Sequence, residues 1–225
     1  MNTTEVKTKG IVKSFEDLWK YARKQFLEYE KLEGIPDWEE YDFSIDCSED
    51  QMKFKDMLQI RCIEELTEAT QALDNEEHFY EEVTDALNFF LSAYCMLGVD
   101  FKKPALEEGK TWQELAETCL TLGQGGDYLE MKKIFENNNQ DAKDDLFVFF
   151  YYIVEKIGAL CNHLKNRPWA QSNYLVSMHD FNSDLKGLWI CFWDVLGCLN
   201  LTKEQIFDLF ERKYLVNKFR IESGY

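Results

Sequence analysis

The stretch that decides the fold, residues 57–97, reads MLQIRCIEELTEATQALDNEEHFYEEVTDALNFFLSAYCML. Apolar residues recur in it every three or four positions, which is the spacing of one face of an α-helix. The pattern predicts a helix from about Gln51 to Leu73 and a second from about Glu77 to Leu97, separated by Asp74-Asn75. One side of the first helix is expected to carry Met57, Ile60, Ile63, Leu66 and Ala69. Because a short turn joins them, the two helices are expected to pack antiparallel.

Helical spacing of the same kind extends over most of the remaining chain. Further helices are predicted from Ser14 to a break at Gly34-Ile35-Pro36, from Thr111 to Leu122, from Asp144 to Leu164, from about Phe181 to Leu199, and from Thr202 to about Arg220. No segment alternates polar and apolar residues well enough to indicate a strand. The sequence therefore predicts an all-α helical bundle, in which helices pack on helices.

The length of 225 residues suits one domain with a substantial core. Residues 1–13 are polar and are expected to form a flexible tail. Residues 14–225 are expected to form a single all-α domain. An irregular insert is expected at about 101–143, because Pro104, Gly109 and a glycine-rich turn interrupt the helical pattern there.

The charge balance limits the classes of partner. The chain has 25 Lys and Arg against 42 Asp and Glu, a formal charge of 25 − 42 = −17. Direct DNA or RNA binding is not expected, because it needs a positive surface, but a metal ion could still mediate binding of an anion. Seven cysteines without a CxxC pair or secretion signal indicate a reducing, intracellular compartment such as the cytoplasm. The apolar segments carry charges, so no membrane span is expected.

Two acidic motifs lie on the predicted helix pair. Glu65 and Glu68 are three residues apart on the first helix, and Glu82 and Asp85 are three apart on the second. Residues at this spacing share one helix face, so the four carboxylates can meet between antiparallel helices. Gathered carboxylates repel unless a cation lies among them, and oxygen-only ligands suit Mg²⁺. The alternative is a solvated acidic face on a Glu-rich helix.

The C-terminal helix carries the opposite charge. Lys213, Asn217 and Arg220 follow one another at spacings of four and three, which places them on one helix face. An ammonium, an amide and a guanidinium in a row suit the oxygens of a polyphosphate. A basic helix end favoured by the helix dipole is the alternative.

Together these motifs resemble those of a known family. Its pattern is EExxE, then ExxD, then a terminal K-N-x-x-N-x-F-R-Q-x-x-G-Y, and it belongs to the dimeric all-α dUTPases and phage dCTPases, relatives of the MazG-like NTP pyrophosphohydrolases. The matching residues here are Glu65, Glu68, Glu82, Asp85, Lys213, Asn217, Phe219, Arg220, Gly224 and Tyr225. The resemblance covers most of residues 15–225.

The resemblance implies the all-α NTP pyrophosphohydrolase fold, a homodimer, and hydrolysis of a deoxynucleoside triphosphate to monophosphate and pyrophosphate. It implies that Mg²⁺, with Mn²⁺ as the alternative ion, is held by Glu65, Glu68, Glu82 and Asp85. Glu68 would also serve as the catalytic base, with Glu65 beside it. The substrate would be bound by Gln25, Asn88, Lys213, Asn217, Arg220 and Tyr225.

The chain departs from the family pattern where the base is recognised. Glu28 stands where the family has Asn, Asn88 stands in place of His, and no Trp-Lys pair follows the first acidic motif. We therefore expect a pyrimidine substrate, dUTP first, with dCTP, a modified pyrimidine or another dNTP as the alternative. A non-catalytic helical protein that binds a nucleotide is the other class of function left open.

Overall fold

The computed structural model describes residues 7–32, 44, 47–106, 109–125, 129–164 and 177–224. Its helices are α1 (Phe15–Leu32), α2 (Ser48–Lys55), a π-helical segment (Asp56–Cys62), α3 (Ile63–Gln71), α4 (Glu76–Met96), α5 (Trp112–Gly125), α6 (Met131–Asn137), α7 (Gln140–Asn162), α8 (Met178–Cys198) and α9 (Lys203–Ser223). Within these ranges the β-structure is one isolated bridge between Pro104 and Thr111. The predicted all-α class is confirmed. None of the helices in these ranges has the length and hydrophobicity that a bilayer crossing requires.

Helix α4 lies at the centre of the fold. The turn at residues 72–75 reverses the chain between α3 and α4, and the Asn75 side chain caps α4 by accepting the His78 N–H at 3.2 Å. Helix α4 also packs against α1, α9 and the π-helical segment. The antiparallel pair predicted from residues 57–97 is therefore present, with three further elements around it.

Side-chain caps begin the helices close to where the sequence predicts. Ser14 Oγ accepts the Asp17 N–H at 3.1 Å at the start of α1. Thr202 and Gln205 form a reciprocal capping box at the start of α9. The predicted break at Gly34-Ile35-Pro36 lies outside the described residues.

The first helix of the pair differs from the prediction. Residues 56–62 form a π-helix, in which each amide bonds five residues back rather than four. The core-facing side chains are therefore those of Leu58 and Cys62, both 0% exposed, while Ile60 is 56% exposed. Leu66 and Ala69 lie on one side as predicted, and both are buried, because α3 has returned to α-helical geometry there.

An aromatic core fills the space between α4, α5 and α8. Its members are Phe90, Tyr94, Trp112, Trp189 and Phe192. The Phe90 and Phe192 rings stack with centroids 4.1 Å apart. Tyr94 Oη donates to the Leu185 carbonyl at 2.7 Å, and Trp189 Nε1 donates to the Trp112 carbonyl at 2.9 Å. These ring polar groups are therefore satisfied inside the core.

The irregular insert predicted at about 101–143 is largely helical. It contains α5, α6 and the start of α7. Helix α5 crosses α8 so closely that a Cβ placed on Gly123 would lie 2.5 Å from the Asp194 carbonyl oxygen, and one on Gly197 2.5 Å from that of Leu120. Glycine at both positions is what allows the two backbones to touch.

The predicted tail, residues 1–13, is anchored at its C-terminal end. The Glu211 carboxylate on α9 accepts the backbone N–H groups of Lys9, Ile11 and Val12, the last two at 2.8 and 3.1 Å. Val12 is buried at 6% exposure. A buried carboxylate thus holds this segment against the bundle, because the three N–H groups compensate its charge.

Candidate functional site

Three carboxylates meet between α3 and α4. One oxygen from each of Glu65, Glu82 and Asp85 lies within 4.8 Å of the others, and all three residues are half-buried. Glu65 is seven residues before Ala72 and Glu82 is seven after Asn75, so the tight turn places them opposite each other. Asp85 is one turn further along the same face of α4. We call these three residues the acidic cluster.

Glu68, the fourth predicted ligand, lies outside this cluster. It is exposed on α3, three residues nearer the turn than Glu65. Its negative charge still contributes to the raised pKa of Glu65, so the two carboxylates lie within electrostatic reach of each other. Local spacing placed Glu68 beside Glu65, but Glu68 does not belong to the group of carboxylates whose oxygens converge.

The acidic cluster favours a bound proton when no cation lies in it. Burial raises the pKa of Glu65 to about 8, and the Asp85 charge and a hydrogen bond with Glu82 add to this increase. Burial also raises the pKa of Asp85, although the Lys213 ammonium opposes this shift. At neutral pH the Glu65 carboxyl is therefore mostly protonated.

Each member of the cluster has a partner from the protein itself. The Lys213 ammonium forms an ion pair with Asp85 Oδ2, and the two side chains are 13% and 16% exposed. His78 Nε2 lies 2.6 Å from Glu82 Oε1. The sequence predicted the cluster and the Lys213 row separately, whereas the structure joins them through this ion pair.

A cavity of about 860 Å³ opens beside the cluster. The predicted site residues that line it are Gln25, Glu65, Asp85, Asn88, Lys213, Asn217 and Arg220. Tyr225 lies outside the described residues. Glu28 does not line the cavity, and its carboxylate lies 3.9 Å from Lys24 instead. Residues from α1, α3, α4 and α9 thus converge on one cavity.

The charge of the cavity differs from that of the whole chain. Its wall carries five basic and four acidic residues: Lys53, Lys55, Arg61, Lys213 and Arg220, with Glu30, Asp56, Glu65 and Asp85. The formal balance of 5 − 4 = +1 contrasts with −17 for the protein. The raised pKa of Glu65 makes this balance more positive at pH 7. An anionic ligand therefore meets a favourable local field in an acidic protein.

The sequence did not predict the apolar side of the cavity. Met57 and Ile60 of the π-helical segment line it, together with Phe26, Tyr29 and Phe89. The sequence predicted Met57 and Ile60 on one side of an α-helix with Leu66 and Ala69, but in the π-helical segment Ile60 is exposed and Met57 is partly buried at the wall. A π-helical turn is frequent at functional sites. An apolar wall with polar groups at one end is typical of a small-molecule site.

Two buried amides in this cavity have unsatisfied atoms. Gln25 and Asn88 are 6% and 7% exposed, and Gln25 Oε1 and Asn88 Nδ2 make no hydrogen bond of normal geometry among the described residues. The Asn88 amide does lie near enough to Asp85 to favour its ionised form. Buried polar atoms without partners are costly, so these two atoms could each be satisfied by a complementary group of a ligand in the cavity.

The donor set fits a hard divalent cation. The acidic cluster offers three carboxylates, and Mg²⁺ takes oxygen ligands while keeping waters for a phosphate-bearing partner. Burial first, and then the neighbouring carboxylates, raise the pKa of Glu65, and such a cation would favour the ionised form of this carboxyl. The residues present therefore fit the ion that the motifs predict.

Comparisons with known proteins find no match to this chain. A scan against protein-family models finds no match, and searches of curated proteins and of solved structures find none either. What the cavity binds therefore has to be inferred from its own residues.

Proposed function

We propose that this protein hydrolyses a pyrimidine deoxynucleoside triphosphate, dUTP first, to the monophosphate and pyrophosphate, with Mg²⁺ or Mn²⁺ as cofactor. One observation carries the proposal. Carboxylates of the acidic cluster and the Lys213-Asn217-Arg220 row line the same cavity, although they are far apart in the sequence. An acidic metal site beside cationic and amide groups is what a metal-bound polyphosphate requires.

The row on α9 would bind the phosphates. Asn217 is 6% exposed and lines the cavity one turn from Lys213, and Arg220 follows at the solvent-exposed end. In the described part of the chain, no ion pair occupies the Arg220 guanidinium. Its planar fork can therefore bind two phosphate oxygens at once.

The acidic cluster would hold the metal ion through Glu65, Glu82 and Asp85. When bound, such an ion neutralises phosphate charge and makes a water molecule more acidic. Glu68 lies at the edge of the cluster and is exposed, so it is the nearby carboxylate best placed to accept a proton. This division gives the ligand role to three carboxylates and the base role to the fourth.

The apolar wall and the two unsatisfied amides would receive the base. Gln25 Oε1 can accept from a ring N–H or amino group, and Asn88 Nδ2 can donate to a ring nitrogen or carbonyl. Uracil and cytosine each present one donor beside one acceptor along this edge. Adenine and guanine also present such a pair, so these two amides support a nucleobase of either class. The choice of a pyrimidine, dUTP first with dCTP or a modified pyrimidine second, rests on the resemblance of the motifs.

A homodimer is part of the proposal. The α7 helix exposes Phe147, Val148, Tyr151 and Tyr152, at 41%, 49%, 64% and 48%. Large apolar side chains grouped on one helix are unusual on a free surface and support contact with a second copy. Sedimentation of the wild type and of Tyr151→Glu measures this, since a dimer formed through α7 should dissociate in the variant.

The test of the activity is pyrophosphate release from dUTP, dCTP, dTTP, dATP and dGTP, with Mg²⁺, with Mn²⁺ and with neither. We expect metal-dependent turnover with the highest kcat/KM for dUTP. A preference for purines would refute the pyrimidine assignment. Nucleotide binding without turnover under any metal condition would instead favour the non-catalytic nucleotide-binding protein.

Arg220→Lys tests the phosphate row. It keeps the charge and loses the fork, so we expect kcat/KM to fall by about tenfold or more. Arg212→Lys is the matched control, because Arg212 lies on the same helix but pairs with Asp208 at 2.6 Å. Equal kinetics for both variants and the wild type would assign Arg220 a structural role only.

A further inference from the structure

The acidic cluster already has internal partners for its charge. Asp85 is paired with the Lys213 ammonium, Glu82 with His78, and Glu65 shares a hydrogen bond with Glu82. The Asp85–Lys213 pair is the most shielded of these contacts to a basic group, with side-chain exposures of 16% and 13%. The cluster is therefore compensated by the protein itself, at the position where a divalent cation would act.

A second observation shows that this compensated state is incomplete. Gln25 on α1 is 6% exposed, lines the same cavity as Asp85 and Lys213, and leaves Oε1 without a hydrogen bond among the described residues. A site built for its present contents would satisfy this acceptor, because an unpaired buried amide oxygen is destabilising. The cavity next to the ion pair is therefore shaped for a ligand.

We infer that Lys213 is a place-holder cation. While the acidic cluster holds no metal, the Lys213 ammonium neutralises Asp85. When a divalent cation binds at Asp85, the ammonium moves to the anionic ligand. This inference rests on the proposed function for the identity of the anion. It adds a coupling between the binding of the cation at the acidic cluster and the binding of the anion at the Lys213-Asn217-Arg220 row.

The physical argument is competition for one carboxylate. An ammonium and a divalent cation at the same Asp85 oxygen would repel each other, so one must leave. The lysine stem is long and flexible, and Lys213 already lines the cavity in the same row as Asn217 and Arg220. Its ammonium can therefore move from Asp85 to a bound phosphate without a change in the backbone.

The coupling follows from this exchange. A bound cation frees Lys213 for the anion, and a bound anion attracts Lys213 away from Asp85 and exposes the carboxylate. By linkage, each ligand strengthens the binding of the other by the same factor. Positive cooperativity between cation and anion is the expected outcome.

Titration calorimetry with Mg²⁺ alone, on the metal-free full chain, tests the competition without any nucleotide. Lys213→Met removes the competing charge and keeps a similar side-chain volume, so we expect Mg²⁺ to bind about tenfold more tightly than to the wild type. Arg220→Met, which removes a cation from the same row without breaking an ion pair, should leave Mg²⁺ affinity unchanged. Equal or weaker Mg²⁺ binding by a folded Lys213→Met protein would overturn the inference.

A second measurement uses the wild type and avoids any question of folding. Acetylation of Lys213 by an amine-reactive reagent, followed by mass spectrometry, should accelerate about threefold when Mg²⁺ is added, because the ion pair no longer protects the ammonium. Lys218, on the same helix with a side chain that is 40% exposed and lies 3.6 Å from Glu222, is the internal reference. An unchanged rate for Lys213 in Mg²⁺-saturated protein would overturn the inference.

The two experiments separate this inference from the proposed function. Equal Mg²⁺ affinities of the wild type and Lys213→Met would reject the place-holder and leave the proposed hydrolysis standing. Absence of Mg²⁺ binding by every form would reject the metal site, and the inference with it.

Discussion

The two halves of α4 differ in how well their side chains are satisfied. Residues 89–96 contain Phe90, Leu91, Ala93 and Tyr94, each 0% exposed, and the Tyr94 hydroxyl has its acceptor. Residues 76–88 carry Glu82, Asp85 and Asn88, with carboxylates close together and an amide donor that makes no hydrogen bond of normal geometry among the described residues. One end of α4 thus has its polar groups satisfied by the fold, whereas the other end brings carboxylates together beside a cavity.

The difference shows where stability comes from. The aromatic core buries large rings against α5 and α8 and stabilises the helix that presents the acidic cluster. One buried ring nitrogen still has no hydrogen bond: Trp193 Nε1 is buried without a partner among the described residues. The acidic end can carry repulsion because the other end holds α4 in place. Substitutions in the two halves should therefore separate activity from stability.

The largest effect is expected at the acidic end. Asp85→Asn removes a ligand charge and should lower both Mg²⁺ affinity and turnover, the latter by about a thousandfold. Glu68→Gln should lower turnover by about a hundredfold while Mg²⁺ affinity stays unchanged, because Glu68 lies outside the cluster. Calorimetry and steady-state kinetics on both variants check this. A loss of Mg²⁺ binding in Glu68→Gln would place Glu68 among the ligands after all.

The second largest effect is expected on stability, at the crossing of α5 and α8. Gly123→Ala places a methyl group against the backbone of α8, so we expect the free energy of unfolding to fall by about 3 kcal/mol. Gly125→Ala, on the same helix with no atom within 4 Å of the added Cβ, is the matched control. Urea denaturation measures both. If Gly123→Ala were as stable as Gly125→Ala, the close crossing of α5 and α8 would be wrong.

A smaller loss is expected from the aromatic core itself. Tyr94→Phe keeps the ring and leaves the buried Leu185 carbonyl without its donor, which should cost about 2 kcal/mol of unfolding free energy. Tyr151→Phe, at a 64% exposed position, should cost almost nothing. Turnover should stay at the wild-type level in both variants. Lost turnover in Tyr94→Phe would show that the two halves of α4 are coupled.

The smallest effect concerns pH in the absence of metal. The pKa of Glu65 rises from 4.5 to about 8 on folding, so the folded protein holds a proton that the unfolded chain has lost between these values. Stability should therefore fall as pH rises from about 5 to 8 and then level off. Glu65→Gln should remove part of this slope and be more stable at pH 8, by about 1 kcal/mol after allowing for the partial exposure of Glu65. Parallel stability curves for the two proteins would contradict the raised pKa.

Much of the fold could be read from local pattern. Helical spacing gave the all-α class, and capping residues such as Ser14 and Thr202 gave helix starts close to those observed. The antiparallel pair followed from a short turn, and with it the approach of Glu65 to Glu82 and Asp85. These features depend on residues close together in the chain, so the sequence contains the information that fixes them.

Local reasoning was wrong where the geometry of a helix is set by what packs against it. It predicted an α-helix from about Gln51 to Leu73, whereas residues 56–62 are π-helical, and Met57 and Ile60 line the cavity. The ligand role of Glu68 stays a prediction, because Glu68 lies outside the acidic cluster. No composition signal marks a π-helical turn, because it depends on what packs against the helix. The close crossing at Gly123 likewise depends on a helix about seventy residues away in the sequence.

By itself the sequence determined which residues share a helix face: Glu82 with Asp85, and Lys213 with Asn217 and Arg220. Only the tertiary structure decided that these two faces meet across one cavity and that Lys213 reaches Asp85. The physical reason is the distance along the sequence over which each feature is determined. A helix face is set by hydrogen bonds over a few residues, whereas the packing of α9 against α4 is set by the burial of apolar side chains from the whole chain.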